Sequence, residues 1–525
     1  MNVAWMRQAV NPQARTKTMN KIFSAPTSGW VTATNLSEPK KKTAVVLENW
    51  FPQRRSCRLR GGATKKATIS ASLAVQSVFT YSAGTTNKLF AATSAAVYNI
   101  TNPATPTTIP TADLTGKTSG FYSTALFTTV GGTYLTIANG TESVQQYDGT
   151  TWTTPAITVA TSSTFSHVWV YRNRLFFVQK NTLNAWYLPV DSIAGAAAAV
   201  SLAGVFQRGG NLLTGCTWSI DAGDGLHDQC AFISTNGEVA IYQGTDPSSA
   251  STWSLVGRYD IGTMLGKNAI MRAGGDVLLA TADGLVPLSK AIAVDRAAIS
   301  LNSLSADIEP DWKTEAIART DNWTIAKWPE KNMAIVAIPS ATGRDKFCFV
   351  INLETGAWAK YTGWDTNCIC MYSQYAYFGT TAGTILQAET GGSDDGTSYV
   401  SKYIGQFEDW DAVGSVKIGH LCRSTFIAAV PFTPQITLLA NYSTTTPAAP
   451  SAAVSASSSV WDTAIWDTNV WDGTGTSSIQ TKWRSVSGQG FVLAPCIQVT
   501  NSSTLTPDAQ LITNHFRHSI GAVVV

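Results

Sequence analysis

No run of eighteen apolar residues occurs in this chain, so no helix in it is expected to span a membrane. The first twenty residues, MNVAWMRQAVNPQARTKTMN, hold no apolar core of secretory length, and no signal peptide is expected. Charge is scarce. Asp, Glu, Lys and Arg make up 14% of 525 residues, so much of the surface must be neutral hydroxyl and amide or be covered by partners. Long runs of Glu, Lys, Leu and Ala are missing, which argues against a helical protein. Catalytic signatures are missing as well: there is no Walker loop, no Gly-x-Ser-x-Gly elbow and no His-Glu-x-x-His helix. The five histidines are scattered apart from His515 and His518, which a spacing of three in a strand would set on opposite faces. Asp394-Asp395-Gly396 lacks the alternating ligands of a calcium loop and reads as an acidic turn. No metal, no cofactor and no enzyme activity are expected.

What is present points to many short strands. Apolar residues reach 44%, with 41 Gly, 20 Pro and abundant Ser and Thr. The eight cysteines read as buried thiols of a chain folded in a reducing cytoplasm. Cys368 and Cys370 share a strand face but have no second Cys or His pair to complete a zinc site.

From about residue 70 to 395 a unit recurs: an aromatic and β-branched run, a turn of small residues, then a second run. Examples are LFAATSAAVYNI (89–100), LFFVQKNTLNAWYL (175–188) and AFISTNGEVAIY (231–242). Asn139-Gly140, Asn236-Gly237 and Asp283-Gly284 are two-residue hairpin signals. Taking Ser94, Gly140, Asn181, Gly237, Gly284, Ser340 and Ala382 as tips gives intervals of 46, 41, 56, 47, 56 and 42 residues, the period of propeller blades. The fold class is therefore all-β, a β-propeller of six or seven blades. Trp152, Trp253 and Trp358 each end a polar turn, where an indole can cover the next blade's sheet. SADIEPDWKTEAIA (305–318) breaks the pattern; it predicts a short helix, inserted between blades, with Trp312, Ala316 and Ile317 on one face.

GGSDDGTSYV (391–400) ends the repeats, and strand-like segments follow around a low-complexity loop, 443–459. The stretch VWDTAIWDTNVWDG (460–473) is no WD-repeat signature. Its Trp461, Trp466 and Trp471 are five apart, whereas such repeats place one Trp-Asp pair per blade. Five steps carry a side chain off any one stripe of a helix or strand, so a serial turn with Asp462, Asp467 and Asp472 closing Asx-type turns is expected.

Net charge is +3 but uneven. Residues 1–66 hold thirteen Lys and Arg against two Glu, and the rest hold 24 basic and 32 acidic groups. The arm with Arg54, Arg55, Arg58 and Arg60 is expected to face a partner protein or neighbouring subunit. The competing reading is that these four alternate along an exposed edge strand. Trp50, Phe51, Trp461, Trp466, Trp471 and Trp483 are further candidates for contacts between subunits, because large aromatics dominate interface energies; burial within their own domain is the alternative.

The stretches LENWFPQRRSCRLRGGATK (47–65), NKLFAATSAAVYNIT (87–101), ETGGSDDGTSYVSKYIG (389–405), VWDTAIWDTNVWD and TKWRSVSGQGFVLAP (481–495) resemble the tail nozzle (tail tubular) proteins of short-tailed bacteriophages. The resemblance covers both ends, and the middle through its repeats. It implies a β-rich platform made from both termini (1–66 and 396–525) with the propeller (67–395) inserted. It further implies a ring of six copies in the virion tail, assembled in the host cytoplasm, that extends the channel below the portal and adaptor. The partners implied are other copies of the chain, a portal-side adaptor, tail fibres or a spike, and genome DNA passing without sequence-specific binding. A receptor-binding tail tip is the alternative function. A propeller glycan hydrolase is a weaker third: it needs Arg and carboxylates at the channel mouth, for which Arg172, Arg174, Arg208, Arg258 and Arg272 are the available arginines.

Overall fold

The computed structural model describes residues 18–33, 40–221, 226–429, 432, 434–451, 478–502 and 508–523. Trp461, Trp466 and Trp471 lie outside the described residues, so the turn expected there has no counterpart below.

The chain is all-β apart from short helices, and its centre is a propeller. Six blades are four-stranded, and a seventh place in the ring is taken by a three-stranded sheet. The innermost strands, in chain order, are Ser77–Ala83, Ser123–Thr129, Phe165–Tyr171, Leu212–Asp221, Ile270–Ala273, Thr324–Trp328 and Cys368–Tyr372. The last of these packs against the first, closing the circle. The seventh blade borrows its outer strand from the N-terminal side: Ala63–Thr68 pairs antiparallel with Thr384–Ala388. The propeller therefore starts at Ala63, and the boundary expected after residue 66 falls inside a strand. Sheets covered on both faces need no polar alternation. Met333–Ala337 and Phe347–Asn352 are accordingly buried at every position.

Each expected tip lies between the second and third strands of a blade, or, for Gly284, opens the third. Only the third of the two-residue turns expected forms, and it is shifted by one residue. Asn139 begins a six-residue loop whose first amides, those of Thr141 and Glu142, its own Oδ1 accepts. At the third signal the turn is Ala282-Asp283, with Thr281 facing Gly284. Gly237 has φ +78°, and a Cβ there would stand 2.3 Å from the Ile261 carbonyl oxygen, so only glycine fits.

The aromatic turn residues cover the preceding blade, not the next. Trp152 packs edge-on to Phe90 of the first blade. Trp253 of the fourth blade stacks on Phe176 of the third. The outer strand of a twisted blade leans back over the sheet before it, which leaves the next sheet out of the indole's reach. The helix appears as Glu309–Ala318, with Pro in its first turn and Trp312 and Ala316 buried. Ile317 is 80% exposed. Five residues from Trp312, it is turned roughly 140° away from that face.

The terminal segments share two sheets. One continues the sixth blade: Trp358–Thr362 meets Ala44–Glu48 in parallel, and Tyr399–Gly405, Leu493–Asn501 and Gln435–Ala440 follow. The other runs Trp50–Pro52, Cys57–Leu59, Gln510–Val523, Ser415–Ala428, Ser478–Ser485, with Thr18–Ser24 also on Gln510–Val523. Trp50, Tyr403, Cys422, Leu493 and Phe516 are buried in one apolar cluster that draws on both sheets. All eight cysteines are free thiols; seven are buried and Cys370 is half-buried.

Candidate functional site

Seven innermost strands leave a cavity of about 670 Å³ along the propeller axis. Successive blades are clasped by hydroxyls at its wall. Ser77 Oγ accepts from the Tyr122 amide, Ser123 Oγ from the Val168 amide, and Thr217 Oγ1 donates to the Val170 carbonyl. His167 belongs to this belt. Its Nδ1 is 2.8 Å from Ser123 Oγ, and its Nε2 is 3.0 Å from the Gly215 carbonyl oxygen. The carbonyl can only accept, so the proton sits on Nε2 and the Ser123 hydroxyl donates to Nδ1. Burial pushes the His167 pKa down to about 3, the Gly215 carbonyl opposing, so the ring is neutral near pH 7.

One end of the cavity is barred. Lys267, just before the fifth blade, crosses the axis and donates from Nζ to the carbonyls of Phe121 (2.7 Å) and Ser166 (2.6 Å), beside the second and third blades. Asn268 Nδ2 likewise reaches the Tyr122 carbonyl at 2.9 Å. Burial lowers the Lys267 pKa to about 7; Asp321 opposes that shift and Lys180 adds to it. A five-residue strand such as Thr324–Trp328 makes a wall roughly 16 Å tall. Spread over that height, 670 Å³ is a bore roughly 7 Å across, narrower than the major groove of a duplex alone, about 12 Å. A DNA duplex does not fit through this axis.

A second cluster lies where the N-terminal arm meets the last blade. Arg60 is fully buried and uses all five donors: Nε on Asn49 Oδ1, Nη1 on the Gly61 carbonyl and Asp394, Nη2 on the Thr362 carbonyl and Asp394. Its guanidinium lies 3.6 Å over the Tyr399 ring and 4.9 Å from that of Trp364. Arg58 binds Glu389 at 2.7 Å, and Lys331 joins at 3.2 Å. Burial would push the Glu389 carboxyl up, but Arg58 and Lys331 hold it down at about 2. The acidic turn is thereby explained: Asp394 serves Arg60 and Asp395 pairs with Lys65 at 2.7 Å.

This geometry corrects the expectation for the arginine arm. Arg58 and Arg60 face neither a partner nor an exposed edge; they are turned inward because the chain supplies Glu389 and Asp394 to neutralise them. Trp50 and Phe51 are 0% and 1% exposed, spent on their own chain's core. Arg54 and Arg55 stay on the surface, Arg54 at 3.7 Å from Glu354. Trp483 is also accessible, 46% exposed, flanked by Arg423 at 5.1 Å and Arg517 at 5.9 Å.

Trp483 marks a surface that sequence reasoning passed over. Across four strands, Ile22, His515, Arg423 and Trp483 stand in register, and Ile427 faces Ile479 four positions along. Ile22 is 58% and Ile479 70% exposed, while Phe516, Cys422 and Phe426 on the other face are buried. The available signal was period-two alternation in segments called only strand-like. Which face it left open depended on pairing between residues about 490 apart. Lys267 and Asn268 gave no signal at all, since nothing in GKN announces a side chain that crosses a propeller axis. Of the five blade arginines, Arg272 alone lines the cavity; Arg174 pairs with Asp246 and Arg258 with Glu238. The arginine and carboxylate cluster that a glycan hydrolase needs is thus not found in the cavity among the described residues.

No protein-family model matches the chain, and no curated protein matches it. Among solved structures it is similar to the computationally designed Ika8 protein (TM-score 0.35, 10% identity, 62% of this chain and 99% of that one). It is also similar to the WD40 β-propeller domain of Doa1 (0.37, 10%, 62% and 97%). A third likeness is the β-propeller domain of Myceliophteria thermophila Cps50 (Swd1) (0.38, 11%, 62% and 99%).

Proposed function

We propose that the chain is a structural protein of a short-tailed phage tail, a nozzle whose copies close into a ring, six by the resemblance, that carries DNA during ejection. The observation that carries this reading is the open outer face of the sheet built from both termini. Exposed Ile22 and Trp483 stand three strands apart there with His515 and Arg423 between them, and Ile479 lies four positions along from Trp483; an exposed indole flanked by arginines is the kind of anchor that dominates association surfaces. The barred propeller axis supports the same reading, because a conduit must then run between copies and not through one. Adaptor, fibre or spike proteins are the partners this role requires, the ring has no catalytic part, and its place is the virion tail.

Negative-stain microscopy and light scattering of the purified full chain, alone and with a portal-side adaptor, test the proposal. Closed rings with a central hole are the expected result. Monomers or trimers under every condition, with the adaptor present, would reject it in favour of a receptor-binding tip.

A further inference from the structure

The axial cavity is more than the gap left by seven sheets. Its floor is closed by Lys267 and Asn268, and its mouth opens beside Arg272 and Lys327. Among the described residues no Asp or Glu lines it. Lys267 gives two of its three N–H donors to carbonyls and has one to spare. Lys327 has no hydrogen-bond or ion-pair partner among the described residues, and Arg272 reaches only the Thr217 carbonyl, at 3.5 Å. Thr324 Oγ1, also on the wall, is buried with no partner among the described residues. Burial keeps His167 neutral, against the opposing Gly215 carbonyl, so it adds no charge.

A narrow, low-dielectric funnel lined by cations of one sign and by hydroxyls focuses field lines onto whatever enters. The cations where the N-terminal arm meets the last blade each have a carboxylate: Arg58 has Glu389, Arg60 has Asp394, Lys65 has Asp395. Among the described residues Arg272 and Lys327 have no such partner, and Lys267 feels Asp321 without forming an ion pair with it. A cationic or wholly apolar solute would leave them uncompensated, and a polymer of DNA width is excluded by the bore. We infer that the cavity is a binding site for a compact solute bearing an oxyanion, a carboxylate or a phosphate. The anion enters between Arg272 and Lys327 and meets the Lys267 ammonium at the floor. Binding of this kind takes place within one protomer, so it stands or falls independently of ring formation.

Titration calorimetry on the full chain tests it, with citrate and inorganic phosphate as separate probes. One bound anion per chain is expected, and the probe that binds tells the carboxylate source from the phosphate source. Arg272→Ala/Lys327→Ala alters only groups at the mouth and is expected to melt like the parent while weakening binding about tenfold or more. The control, Arg423→Ala/Arg517→Ala on the outer sheet, is expected to leave binding unchanged. Absence of heat with both probes would overturn the inference. So would binding that survives the mouth variant, or binding lost in the control alone.

Discussion

Arg60 shows how far one side chain can depart from what its neighbourhood in sequence suggests. Four arginines within seven positions look like a surface arm, yet the third and fourth are drawn inward by carboxylates more than 330 positions away. Replacing Arg60 with Met would leave Asp394 facing an apolar pocket, and a broken buried pair costs about 3–5 kcal/mol; denaturant unfolding should read a loss of that size. Arg60→Lys should recover little of it, because an ammonium cannot supply five donors in a plane. Lys267 gives a pH signature. Its pKa is lowered in the folded chain, from 10.5 to about 7, so the unfolded chain binds more protons between those values and stability rises with pH across them. Compared with the parent, Lys267→Met should therefore gain relative stability as pH falls from about 10 to about 7. A stability difference that is flat over that window would refute the shift.

Single blades cannot bury both faces of their sheets, so every element leans on its neighbours. Trp253 illustrates the dependence: it stacks on Tyr242 of its own blade and Phe176 of the blade before. Trp253→Ala should cost about 3–5 kcal/mol, the range for emptying a large aromatic site, and urea denaturation would measure it. An effect below about 1 kcal/mol would mean that the indole packs on the surface and not between blades. The blade period was legible because each connection between second and third strands needs small, turn-forming residues, and seven such sites stand out at Ser94 through Ala382. Among the described residues the third strand of the fifth blade has no fourth beside it; the short helix Leu288–Ala291 and the helix Glu309–Ala318 pack there instead, with Trp312 Nε1 donating to the Thr281 carbonyl. SADIEPDWKTEAIA carried the helix signal, but that the helix stands in for a strand followed only from packing.

At the scale of the molecule, charge is sorted by surface. The strands Thr18–Ser24, Ser415–Ala428, Ser478–Ser485 and Gln510–Val523 contain no Asp or Glu, and Arg423 and Arg517 flank Trp483 on their open face. A basic sheet lining a DNA channel would hold phosphate and slow passage. In the proposed ring this face therefore meets protein, and the mildly acidic remainder faces the channel. Ile479→Asp/Trp483→Ala should keep the parent's melting temperature, since both side chains are exposed, while abolishing ring formation in light scattering. If the double variant still forms rings, the subunit contact lies elsewhere.

The amino-acid order was sufficient for the all-β class, the blade period and the inserted helix, because each depends on local turn chemistry and side-chain periodicity over a few residues. It also flagged the stretch around Trp50 and Arg60, though with the wrong orientation. Tertiary structure alone decided that Ala63–Thr68 closes the ring, that Arg58 and Arg60 turn inward, that Lys267 bars the axis, and that Trp483 stands on an open face. Each of these rests on partners distant in sequence, from about a hundred positions for Lys267 to more than 330 for Arg60, and side-chain burial and charge pairing are set by who arrives next to whom in space, which local order does not encode.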